Sequence, residues 1–78
     1  MALHILIMDA LKLGKGAWMR KFMIHEYVYK NSKTVEYNHP FSAETTGRYL
    51  RKLAQNDMIE RKLESRGGVR IVFYRLVV

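Results

Sequence analysis

Seventy-eight residues provide for one domain, residues 1–78, at a size where a single apolar core is only just sufficient and two cores are excluded. With no cysteine, neither a disulfide nor a thiolate metal site can reinforce that core, so association with a second copy is the expected source of further burial. Fourteen Lys and Arg against seven Asp and Glu give a net charge of +7, which favours a polyanionic partner.

Residues 2–13 are apolar at most positions, with His4, Asp9 and Lys12 marking a narrow polar strip at helical angles. The run is interrupted by charge, follows no basic segment and is too short to cross a bilayer, so a helix of an intracellular, cytoplasmic protein is expected and no membrane partner. Its apolar arc is wider than one small core needs, and Leu3, Ile7 and Leu11 are the expected dimer-interface residues. Gly14-Lys15-Gly16 ends the helix through a left-handed cap. Residues 17–30 form the second helix, with Trp18, Phe22, His25 and Tyr29 on one face and Ile24 and Val28 beside them; a short extended piece at residues 17–19 is the alternative.

Residues 31–33 break the pattern, and Thr34-Val35-Glu36-Tyr37 alternates like a short strand or an extended connector. Pro40 pushes His39 out of the α region, and Ser42 then serves as the N-cap of a third helix, with Glu44 in its first turn. Along residues 42–56, Thr46, Leu50 and Leu53 form the buried stripe. Ser42, Thr45, Arg48, Arg51, Lys52 and Gln55 lie away from it. Asn56-Asp57 makes the turn that returns Met58 and Ile59 to the core. Residues 59–64 and 69–76 are strand-like and are joined by Ser65-Arg66-Gly67-Gly68, as in a hairpin; Val72, Tyr74 and Leu76 share one face, Ile71, Phe73 and Arg75 the other. The charge is concentrated here: from Arg48 onward eight Lys and Arg face three carboxylates, which is five of the seven net charges.

The run Thr45-Thr46-Gly47-Arg48-Tyr49-Leu50-Arg51-Lys52-Leu53, the exit Asn56-Asp57-Met58-Ile59-Glu60-Arg61-Lys62, the Gly67-Gly68 tip and the ending Tyr74-Arg75-Leu76 together resemble the winged helix-turn-helix family, in outline over the whole chain and in detail from Ser42 to Leu76. That resemblance implies an α+β, mainly helical fold: three helices and a C-terminal two-stranded wing, with room for a third short strand. It also implies a recognition helix in the major groove of double-stranded DNA and a wing on the backbone or in the minor groove. Ser42, Thr45, Arg48 and Lys52 are then the candidates for base or groove contact, and Arg51, Arg61, Lys62, Arg66 and Arg70 for backbone contact. Two features depart from the family pattern: residues 31–41 are long for the connection between second and third helices, and Asp57 stands where glycine often ends the recognition helix. Gly47 in mid-helix costs about 1 kcal/mol relative to alanine and implies a close approach by another element or by DNA.

The function expected on this basis is sequence-specific duplex binding by a homodimeric transcriptional regulator, of the compact kind a virus or plasmid carries, acting in the host cell if viral. A protein-interaction module of the same fold is one alternative. Binding to RNA or single strands through Trp18, Tyr27, Tyr29 and Tyr37 is another. His4, His25 and His39 have no metal-site spacing, Gly14-Lys15-Gly16 is no phosphate loop, and Ser32, Ser42 and Ser65 lack a nucleophile's context; no catalysis, metal, cofactor or small-molecule ligand is expected.

Overall fold

The computed structural model describes residues 3–32 and 41–77. Its elements are α1 (Leu3–Leu13), β1 (Met19–Arg20), α2 (Lys21–Ser32), α3 (Ala43–Gln55), β2 (Ile59–Arg66) and β3 (Val69–Leu76), a small α+β domain of three helices and a three-stranded antiparallel sheet ordered β1-β3-β2. The expected strand or connector at Thr34-Val35-Glu36-Tyr37 lies outside the described residues, as do Tyr37 and His39.

α1 is the pillar of the core. Leu3, Leu6, Ile7, Ala10 and Leu11 follow the i, i+3, i+4 helical pattern, and together they supply half of the ten buried apolar side chains among the described residues; Ile24 and Val28 of α2, Leu50 of α3, Ile59 and Tyr74 complete the set. This corrects one expectation. Leu3, Ile7 and Leu11 are at most 3% exposed within a single chain, so they have no surface to give a second copy and are not a dimer interface. The buried part of the apolar arc of α1 is covered by α2, α3 and β3 of its own chain, while Ile5 and Leu13 are exposed.

α1 closes through Gly14, whose N–H donates to Leu11 O, but the left-handed residues are the next two, Lys15 (φ 52°) and Gly16 (φ 85°). Of the two readings of residues 17–30, the extended one is nearer. Met19 and Arg20 pair with Tyr74 and Phe73 of β3, and the helix starts only at Lys21. Trp18 therefore does not belong to a helical face, and the side of α2 that is buried is Ile24 and Val28; Phe22 and Tyr29 are exposed.

α3 begins where its cap demands. The Ser42 side chain accepts the Thr45 N–H at 3.2 Å, and Glu44 sits in the first turn. Its end is a Schellman arrangement in which Met58 N–H donates to Leu53 O and Asp57 N–H to Ala54 O, with Asp57 itself left-handed at φ 58°. Ile59 re-enters the core, whereas Met58 stays 52% exposed, contrary to expectation, because the left-handed step turns only the following strand residue inward. The hairpin runs in unbroken register from Ile59↔Leu76 to Arg66↔Val69. It turns on Gly67 and Gly68, whose φ of 55° and 82° are those of a type I′ turn.

Candidate nucleic-acid interface

Period-two alternation sorts the hairpin into two faces with different electrostatics. Ile59, Arg61 and Leu63 of β2 stand opposite Leu76, Tyr74 and Val72 of β3; since Ile59 and Tyr74 are buried, this face is the one turned to the helices, and Arg70, opposite Ser65, shares it. Glu60, Lys62, Glu64 and Arg66 occupy the outer face with Arg75, Phe73, Ile71 and Val69.

On the outer face the charges neutralise one another. Lys62 reaches Glu64 at 3.0 Å, Arg66 reaches the same carboxylate at 3.1 Å, and Arg75 donates through Nε and Nη2 to Glu60. The hydrogen bond from Lys62, joined by the charges of Lys62 and Arg66, holds the Glu64 carboxyl below the usual carboxylate range against the opposing pull of desolvation. Trp18 lies on this face beneath both cations, with Lys62 Nζ 4.6 Å and Arg75 Cζ 4.3 Å from its ring centroid. Of the five expected backbone-contact residues, Lys62 and Arg66 are thus turned away from α3 and paired with acid.

On the helix-facing side the cations form no ion pair among the described residues, although Asp57, Glu60 and Glu44 lie in the hollows beside them. Arg48, Arg51 and Lys52 are exposed and adjoin at three- and four-residue spacing on α3, and among the described residues no carboxylate pairs with them or with Arg61 or Arg70. Arg51 and Arg61 meet across the junction of α3 and β2, where they line one hollow with Gln55 and Asp57 and a second with Lys21, Glu44 and Gly47. A third hollow joins Arg70 to Arg20 and Lys21, next to Ala43 at the start of α3. Lys21 therefore connects the helix end of this basic strip to the hairpin end.

Lys21 and Arg20 were not among the expected contacts. A signal for Lys21 existed in Gly47, whose missing Cβ would lie 3.0 Å from Lys21 Cε and Nζ: the close approach implied by a mid-helix glycine is this side chain crossing α3. Ser42 and Thr45 lie at the helix start as expected, but their hydroxyls bond each other at 2.9 Å, so both serve the cap. Beneath the strip, His25 Nδ1 and Thr46 Oγ1 are hydrogen-bonded at 2.9 Å and tie α2 to the buried side of α3. Desolvation, and then the charge of Lys21, lower the His25 pKa from its ordinary 6.5.

Among the described residues no three His, Asp or Glu group as metal ligands, and no helix is long and apolar enough to cross a membrane. Comparison with protein-family models, curated proteins and solved structures found no match.

Proposed function

We propose that this chain binds double-stranded DNA in the manner of a winged helix-turn-helix protein, with α3 in the major groove and the β2–β3 hairpin against the adjoining backbone, and that it regulates transcription inside the cell by occupying its site. The observation that carries the reading is the run of cations across two elements that form no ion pair among the described residues: Arg48, Arg51 and Lys52 on α3 and Arg61 and Arg70 on the helix-facing side of the hairpin. An α-helix fits the major groove, where arginine reads guanine, while cations on a flanking strand suit phosphates. Arg48 and Lys52, on the outermost part of α3, are assigned to base edges; Arg51, Arg61, Arg70 and Lys21 are assigned to the backbone. Two copies on two half-sites make the natural functional unit. A single-strand reading through Trp18 has less support, because both a lysine and an arginine already cover that ring.

Selection of bound fragments from a random duplex pool, followed by salt titrations on the selected and on random duplexes, tests the proposal. Arg48→Ala should weaken binding to the selected sequence by about 1–3 kcal/mol and leave random duplex nearly unchanged. Arg70→Ala should weaken both alike and reduce the salt slope by about one. Binding by the unmodified chain that is insensitive to salt, or that prefers single strands to duplex, would refute the reading.

A further inference from the structure

β2 is the edge of the sheet, and among the described residues nothing pairs with its outer side from Ile59 to Arg66. A two-residue type I′ loop makes Arg66 and Val69 the hydrogen-bonded pair that closes the hairpin, so the even-numbered residues of β2 direct their N–H and C=O groups to β3. The odd-numbered residues, Leu63 at the centre, direct theirs outward. Leu63 is also 51% exposed on the helix-facing side, so no helix lies over the middle of the strand. Such an edge is normally blunted by charged side chains or proline; β2 has no proline, and its five charges, Glu60, Arg61, Lys62, Glu64 and Arg66, are of both signs.

We infer that two copies of this chain pair through β2, antiparallel about a twofold axis at Leu63, to form one continuous six-stranded sheet. The charge pattern selects the partner and the register. The outer-face row reads Glu60, Lys62, Glu64, Arg66, alternating in sign. Reversed against itself about Leu63, it sets Glu60 opposite Arg66 and Lys62 opposite Glu64, each twice by symmetry, and every pair is attractive. A shift that moves the axis to Lys62 or to Glu64 places like charges opposite one another. The row thus accepts one register and rejects its neighbours, which a merely protective charge would not do. On the helix-facing side Leu63 meets its own copy, and the outward groups of Leu63, Arg61 and Ser65 complete the ladder.

Because the axis stands perpendicular to the sheet, both helical layers remain on one side. The two Ile59 residues, where each α3 hands over to its strand, lie eight strand steps apart, about 27 Å, of the order of the ~34 Å between half-sites one duplex turn apart. The dimer itself does not depend on the DNA-binding reading.

The test is sedimentation equilibrium of the full chain without nucleic acid. The unmodified chain should be dimeric. Lys62→Glu and Glu64→Lys, each of which puts two like-charged pairs across the axis, should each weaken self-association at least tenfold, and an equimolar mixture of the two variants should restore a dimer, since all four pairs become attractive again. A change in folding alone would not be repaired by mixing. An independent arm uses Leu63→Cys: in a chain without cysteine, thiols facing one another across the axis at about 5.5 Å between Cα atoms fall within disulfide range, so mild oxidation should give a covalent dimer. A monomeric unmodified chain, single variants that stay dimeric, a folded mixture that stays monomeric, or no covalent dimer from Leu63→Cys would each overturn the inference. Loss of duplex binding by Arg48→Ala with the dimer intact would bear only on the DNA reading.

Discussion

Thr46 is wholly buried, and its hydroxyl is satisfied by an imidazole from another helix, so the seating of α3 on α2 depends on a titratable group. The folded-state pKa of His25 lies below its ordinary 6.5. As pH falls the unfolded chain therefore takes up the proton first. The stability that the neutral ring confers is complete above about 6.5 and is lost as pH falls from there through the lowered folded value. His25→Gln keeps a hydrogen-bonding group for Thr46 but has no charge to gain. Its melting temperature should fall less than that of the unmodified chain between neutral pH and about pH 5; parallel decline in both would assign the acid sensitivity to other groups. The pairing could not be read from the sequence, where His25 looked like one member of an aromatic face and Thr46 like the start of a buried stripe. Nothing in either pattern says that the two stripes meet. Lys21 is hidden for a related reason: the pattern of its segment is dominated by aromatics, although Gly47 already requires a neighbour.

At the scale of elements, what was legible had local causes. Ser42 and Pro40 mark the start of α3, two glycines with positive φ mark the hairpin, and alternation marks its strands. The hairpin's cations, expected together as backbone contacts, divide instead by parity, which sets Lys62 and Arg66 with two glutamates and Arg61 apart from them. β1 had no local cause. Trp, Met and Arg suit helix or strand, and only pairing with Tyr74 and Phe73, far along the chain, decides for the strand. The exit of α3 yields a prediction that separates stability from binding. Asp57 occupies the left-handed position at a cost of roughly 1–2 kcal/mol, and glycine there gives back about 0.5–1 kcal/mol through its looser unfolded chain. Asp57→Gly should therefore raise the melting temperature by a few degrees in thermal unfolding. Removing a carboxylate from the hollow shared by Arg51 and Arg61 should also tighten duplex binding at low salt, measured by titration.

The whole molecule is small enough that one cavity decides its fate. Ile7 is fully buried at the meeting of the helices, and Ile7→Ala should cost about 2–5 kcal/mol from a total of roughly 5–15 kcal/mol. Denaturant unfolding should show a midpoint shifted far down at unchanged slope, whereas Leu63→Ala, at a half-exposed position, should barely move the midpoint of the dissociated chain. The width of the apolar arc on α1 pointed to burial of Leu3, Ile7 and Leu11, which holds, but not to its cover, and Ile5 and Leu13 of the same arc stay exposed. A periodic pattern reports a need for burial and is silent on whether the cover comes from the same chain. The brevity of β1 has a mechanical consequence. Among the described residues only Phe73 and Tyr74 of β3 are flanked on that side, so within a single chain the remainder of the hairpin has two strands, rooted at Ile59 and Tyr74 and ending in a pair of glycines. Load applied at the tip of a single chain is delivered to Tyr74 in the core, and the stiffness of the core thereby sets how far the tip gives.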